Sequence, residues 1–330
     1  MSELAVASAE LPDAGPRTGR IGLLVMKRLG SGVFVLWVAV TLTFLAVHLA
    51  PGDTVSLLLG ENRDDPVLRA QTIERWGLDQ PVWVQYLTYL ARIPSGDLGT
   101  SYTLRRPVAD LIVAGMGPTF QLTAAAAVSA VVIAVVAAVL TTANIPALRP
   151  VAATVELVLL SAPPFWLAIV LLWGISFRLG WFSIVDRGSW QALVLPTASL
   201  ALPIGAYLTQ VLVEGIERAM EQPFVITARA RGISLFTARA RHALRHAALP
   251  AANLVGLIVG SLLGGAVIVE QVFGRPGLGQ LAVDAVTVKD IPLILGTTLV
   301  STAAFVLVST VVDTVAIVID PRLRTSRGGA

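Results

Sequence analysis

The sequence predicts an all-α polytopic membrane protein, with about six transmembrane helices and a small external domain between the first two. Three observations predict it. Of the 330 residues, 55% are hydrophobic and only 14% charged, whereas a soluble domain carries about 25% charge. Mean hydropathy is +0.77. The apolar residues also fall in long uninterrupted runs, and about 20 such residues cross a hydrocarbon core of about 30 Å as a helix. A helix is the one open-ended element that satisfies its own backbone in lipid.

Residues 1–28 are polar and rich in Ala, Pro and Gly, and read as a disordered cytoplasmic tail. Met26-Lys27-Arg28 before an apolar run resembles the start of a signal peptide. That run is too long for an h-region and leads into further spans, so it reads as a retained signal-anchor. Span one is 29–50, bounded by Arg28 and Asp53. Residues 51–117 carry turn signals (Pro51-Gly52-Asp53 and Pro94-Ser95-Gly96-Asp97), an amphipathic helix over Val67 to Trp76 and an aromatic stretch over Val82 to Leu87. A flexible linker lacks such aromatics, so this segment reads as an ordered external domain.

The remaining spans are 118–143, 151–177 (holding Glu156), 190–213, 251–270 and 291–319 (interrupted by Asp313). Between them lie a cytoplasmic loop at 214–250 and an external loop at 271–290, with a cytoplasmic tail at 320–330. Short loops on the retained side of a membrane collect Lys and Arg. With the N-terminus inside, fourteen such residues lie in the tails and inner loops, and the short outer loops hold only Arg178, Arg187, Arg275 and Lys289; the segment 51–117 is left out, because long loops do not follow the rule. Both termini are therefore expected in the cytoplasm.

Several functions are excluded. Net charge is +3, but the basic residues flank apolar runs instead of forming a nucleic-acid footprint. With no Cys there is no disulfide or thiolate metal site. Lys27 and Lys289 are the two lysines and neither follows Gly, so no phosphate-binding loop of the form G-x-x-x-x-G-K-[ST] exists. His242 and His246 share a helix face, but without the Glu of a zinc protease and beside Arg241 and Arg245 they read as a cationic surface. His48 stands alone at the end of span one. Glu156 and Asp313 lie toward the cytoplasmic ends of their spans, where an interfacial setting suffices; Glu270, beside Gly264 and Gly265, could equally line or gate a path.

The most informative stretch is Glu214 to Pro250. Pro223 suits a first helical turn. Phe224 to Arg231 reads as a short helix stopped by Gly232. Ser234 then caps a second helix from Leu235 to about Ala247, and Leu249-Pro250 leads to span five. Such a helical hairpin, standing off the membrane, suits docking into a groove on a cytoplasmic protein.

Thr227-Ala228-Arg229-Ala230-Arg231-Gly232 followed by Leu249-Pro250 resembles the coupling-loop signature of permeases in binding-protein-dependent ABC importers, specifically the B-type branch of the oligopeptide/dipeptide/nickel group. Ile226 stands where many sugar importers carry a glutamate. Further similar stretches are Pro51-Gly52-Asp53, Gly77-Leu78-Asp79-Gln80-Pro81, Gly96-Asp97-Leu98-Gly99-Thr100-Ser101, Ala162-Pro163-Pro164-Phe165-Trp166-Leu167, Gly264 to Glu270, Phe273 to Gly279 and Asp320-Pro321-Arg322.

The resemblance implies a type I permease fold in a bacterial plasma membrane. Its partners would be a second homologous permease, two ABC ATPases, an extracytoplasmic solute-binding protein and membrane lipids, with no nucleic acid. Thr227, Ala228, Arg229, Ala230, Arg231, Gly232, Ile233, Ser234 and Pro250 would couple to the ATPases. Glu270, Gly264, Gly265, Pro163 and Pro164 would serve the pathway or its gate. The chain itself would bind no metal or cofactor and catalyse nothing, with ATP and Mg held by the partner ATPases. Di- and oligopeptides are the expected cargo, with nickel or a metal chelate as the alternative. An ion-coupled transporter would instead show repeated halves with midplane ionisable pairs, and an intramembrane enzyme a nucleophile–base pair. Neither is visible here.

Overall fold

The structure, a computed structural model, describes residues 17–143, 148–182, 189–252 and 254–319. Helix α1, Arg17–Leu49, is followed by α2 (Thr54–Leu59), α3 (Pro66–Trp76), α4 (Val82–Arg92) and α5 (Val108–Thr141). Then come α6 (Leu148–Ser161), α7 (Pro164–Leu171) and α8 (Gln191–Met220). The hairpin is α9 (Pro223–Ala230), the single turn α10 (Leu235–Thr237) and α11 (Leu244–Ala252); α12 (Val255–Phe273), α13 (Leu278–Thr287) and α14 (Ile291–Ile319) complete the chain. No strand occurs among the described residues, whose one β contact is the Thr100–Pro107 bridge.

Among the described residues four helices are long and apolar enough to span on their own, within Gly30–Leu49, Val108–Thr141, Gln191–Met220 and Ile291–Val311. The pair α6–α7, bent by 108°, passes the same test when taken together, as a broken span or a re-entrant loop. Gly260–Phe273 within α12 is apolar but shorter.

Several boundaries differ from the sequence reading. The tail was expected to be loose through residue 28, but α1 begins at Arg17; residues 1–16 and Asp320-Pro321-Arg322 lie outside the described set. Span two starts ten residues before the expected Pro118, because Pro107 presets the first turn and Asp110 sits there, where a carboxylate favours the helix dipole. Pro118 is carried inside the helix, as neighbouring helices allow in a membrane. Span three is broken because adjacent prolines remove two backbone donors at Pro163 and Pro164, and Pro163 is extended at ψ 142°. Span four runs to Met220, seven residues into what reads as loop. The expected loop 271–290 contains α13.

The core forms where α5 meets α8. Leu122, Ala126, Ala130, Ala134 and Ala138 recur every fourth residue on α5 and are all fully buried. Small side chains let the backbones approach closely, the usual glue between helices in lipid. Gly205 of α8 fits against this stripe, where an added Cβ would lie 3.0 Å from Ile133 and 3.3 Å from the Ala130 carbonyl. The opposite face of α5 leaves Val128, Val131, Val132 and Val136 exposed.

Helices α2–α4 are tied down at three points. The Asp53 carboxylate caps α2 through Val55 N–H at 3.1 Å and accepts from Ser56 Oγ at 2.8 Å and Arg69 of α3 at 2.6 Å. Lys289 Nζ donates to the carbonyls of Ala50 and Gly52, each at 2.8 Å. Asp290, fully buried, accepts from Ser101 Oγ at 2.6 Å and Thr103 N–H at 3.1 Å.

Burial works to raise the Asp53 carboxyl, but the hydrogen bonds from Ser56, Arg69 and Val55 outweigh it and hold it below its ordinary value. A depressed folded value means the carboxylate stabilises the α2–α3 corner at neutral pH. That contribution begins to fade below the unfolded value of about 3.9 and is lost as pH falls through the folded one. Deuterium exchange of the α2 peptide in wild type, divided by that in Asp53→Asn at matched pH, cancels the intrinsic rate. The ratio should rise toward unity on acidification, and a ratio flat with pH would contradict the assignment.

Candidate functional site

The hairpin after α8 is built from its turn outward. Helix α9 opens at Pro223 and closes at Gly232, which has φ +84°. Gly232 N–H donates to the Arg229 carbonyl at 2.9 Å and Ile233 N–H to the Ala228 carbonyl at 3.2 Å. This paired closure is the Schellman motif, which needs a left-handed residue at Gly232. Ser234 Oγ then accepts from Thr237 N–H at 3.2 Å and starts the second arm. The arm was expected as one regular helix to about Ala247. It instead widens to π geometry over Ala238–Ala243 before α11, and such segments concentrate at functional sites.

The hairpin folds back on α8. An added Cβ at Gly215 would lie 2.7 Å from Ala247 Cβ, so the two helices touch there with no room for a larger residue. Val225 and Ala243 are buried beneath the hairpin, and Phe224 stacks on His246 with ring centroids 4.7 Å apart. At the tip, Thr227, Arg229, Ala230, Arg231, Gly232 and Ser234 are exposed and Ala228 and Ile233 half-buried. Pro250 lies within α11, away from the tip. Two exposed apolar residues, Ile226 at 69% and Phe236 at 59%, flank the arginines. Sequence reasoning passed over Phe236; its signal was an aromatic two residues past the cap in an otherwise small and basic segment. The tip is thus a rigid knob with a cationic rim and apolar points.

At the other end of α12 stands a second constellation. Glu270 is fully buried. Its carboxylate accepts from Gly279 N–H at 2.8 Å and Gln280 N–H at 3.3 Å, capping α13, and from Thr119 Oγ1 of α5 at 2.6 Å. Thr119 Oγ1 in turn accepts from Leu278 N–H at 2.8 Å. Three donors thus converge on one carboxylate, and Arg275, also buried, follows just past the end of α12. Gly277 and Gly279 make the approach possible: a Cβ on Gly277 would fall on the carboxylate itself. Glu270 therefore joins α5, α12 and α13 in one latch. Thr119 and Asp290 were missed by sequence reading: a lone Thr in an apolar run carries no pattern, and an Asp before a helix signals a cap but not its distant partners Ser101 and Thr103.

The other expected pathway residues lie apart from the hairpin tip. Gly264 is exposed with nothing near its Cβ direction, whereas a Cβ on Gly265 would press on Leu200 at 2.8 Å. The bend at Pro163–Pro164 carries α7 against α12, with Leu167 and Ala168 buried. Glu156 is half-buried on α6, with its Oε1 buried and without a hydrogen-bond partner among the described residues; the Asp313 side chain lies outside the described set. Among the described residues no group of His, Asp or Glu is arranged to hold a metal ion.

Two family patterns match this chain: the binding-protein-dependent transport system inner membrane component over residues 130–325, and the N-terminal part of the same system's membrane component over residues 22–123. The chain belongs to this permease family. The permease is 35% identical over 303 residues to the glutathione transport system permease protein GsiC of Escherichia coli strain K12, covering 91% of this chain and 98% of that one. The same figures hold for GsiC of Salmonella typhi. A solved structure described as an amino acid ABC transporter with histidines aligns over 65% of this chain and 94% of its own, at 18% identity and a TM-score of 0.47. The permease is a B-type, all-α, multi-pass subunit of an ABC importer, a non-catalytic transport component.

Proposed function

We propose that this permease forms a solute pathway with a second, homologous permease and admits small peptide-like solutes, with glutathione and di- or oligopeptides as the cargo class. The exposed hairpin tip, closed by Gly232 and lined by Arg229, Arg231, Ile226 and Phe236, is the observation that carries the coupling half of this reading. It faces the cytoplasm and seats in a groove on a partner ATPase; two such ATPases hold ATP and Mg, and an external binding protein delivers the solute. The lysine-poor sequence supports this division of labour, since no phosphate-binding loop can be drawn in it. The cargo half leans on relatives named as glutathione permeases.

Uptake of labelled glutathione and a labelled dipeptide into cells expressing the whole transporter, with and without this chain, tests the reading. ATP-dependent uptake of either supports it, and uptake of nickel alone replaces the cargo assignment. For orientation, Arg231→Cys in this cysteine-free chain should react with a membrane-impermeant maleimide in inverted vesicles and not in intact cells. Labelling in intact cells would remove the coupling role.

A further inference from the structure

Helix α4 has two apolar faces, and only one is covered. Tyr86, Tyr89 and Leu90 pack against the buried cluster formed by Val40 and Phe44 of α1 with Ile291 and Leu295 of α14. Tyr86 hydroxyl and Thr41 Oγ1 are 2.6 Å apart, and Tyr86 lies 5.2 Å from Phe44, centroid to centroid. The other face shows Val82, Trp83 at 66% and Leu87 at 54% exposure, the last two spaced so that they stack on one side of the helix.

The depth of this contact narrows what can cover that face. The apolar stretch of α1 runs Gly30–Leu49, and Thr41 stops short of its end by about 12 Å at 1.5 Å per residue. On the antiparallel α14 the same cluster takes in Ile291 and Leu295, the first turn of the apolar stretch that starts at Ile291. Helix α4 therefore lies beside the two spans and not beyond their ends. The span it packs against is itself bare elsewhere, where Trp37, Leu42 and Leu45 of α1 are exposed. Its two ends are polar: exposed Asp79 and Gln80 precede it and exposed Arg92 closes it. An apolar side with Trp, flanked by polar ends that reach headgroups, is the pattern of a helix resting in a membrane interface.

We propose that α4 is an interfacial membrane helix that sets Trp83 and Leu87 into the lipid of the nearer leaflet. The small domain between α1 and α5 is then anchored twice, by protein contacts on one side of α4 and by lipid on the other. A soluble protein approaching from that side of the membrane meets α2 and α3, not α4.

The test uses spin labels on single cysteines in the otherwise cysteine-free full-length chain, reconstituted in nanodiscs of phosphatidylethanolamine and phosphatidylglycerol. Trp83→Cys and Leu87→Cys are compared with Leu42→Cys on the bare face of α1 and Val67→Cys at the exposed start of α3. Lipid contact gives oxygen access equal to Leu42 and exclusion of a nickel chelate. Nickel access equal to Val67 overturns the proposal in favour of a watery docking face. Exclusion of both reagents overturns it in favour of a protein neighbour, such as a second permease. Should the labelled variants misfold, quenching by brominated lipid of the fluorescence difference between wild type and Trp83→Phe decides the point: quenching supports the proposal and its absence refutes it.

Discussion

Gly232→Val is expected to leave the permease in the membrane while cutting ATP-driven uptake about 5- to 150-fold. Gly232 holds φ +84° and nothing stands within 4 Å of its Cβ direction, so the cost of a side chain here is conformational and not steric. A non-Gly residue held in such backbone costs about 1–3 kcal/mol, which corresponds to that range in population of the closed turn. Released from the left-handed region, Ile233 would lose its bond to the Ala228 carbonyl and the tip would change shape under Arg229 and Arg231. A graded series separates this cause from a general packing defect. Asn tolerates positive φ and should retain most transport, Asp should fall between, and Val should be worst. Uptake and ATP hydrolysis are measured together in proteoliposomes of the complete transporter. Equal uptake for Gly232→Val and wild type would show that the turn does not carry coupling.

Glu270→Ala should be the most destabilising single change in the permease. It removes the acceptor of Gly279 N–H, Gln280 N–H and Thr119 Oγ1–H in a fully buried setting and takes the cap from α13. Each buried group left unsatisfied costs about 1–3 kcal/mol, so the total is at least about 3 kcal/mol. At about 2–4 °C per kcal/mol, Tm in detergent should fall on the order of 6–12 °C. Gly277→Ala should act in the same direction for the converse reason, since its methyl would occupy the place of the carboxylate. Thr119→Val should cost less, because Glu270 keeps its two backbone donors. A Tm for Glu270→Ala within a degree or so of wild type would mean the latch does not hold α13.

The two constellations differ in how far they can be read from residues alone. The hairpin is written in local signals: Pro223 at a first turn, Gly232 at a stop and Ser234 at a cap each act within four residues, and the structure places all three as those signals require. The spans follow from apolar run length, but their ends do not. Asp110 and Pro118 read as limits of span two, yet α5 runs through both because a first-turn carboxylate and a membrane-embedded proline are tolerated. Helix α13 escaped because its residues lie between two long apolar runs, and its start is fixed by a carboxylate on another helix.

Composition, run length and local turn chemistry thus determined that this chain is an all-α membrane protein and where its knob forms, because these depend on solvent transfer and on backbone preferences a few residues long. Tertiary structure alone decided that Glu270 is a structural latch joining three helices and that Tyr86 of α4 meets Thr41 of α1. Each of these is set by groups 40 to 190 residues apart in the chain, such as Thr41 with Tyr86, Thr119 with Glu270 and Ser101 with Asp290. No local pattern encodes which of many compatible side chains will meet once the helices have packed.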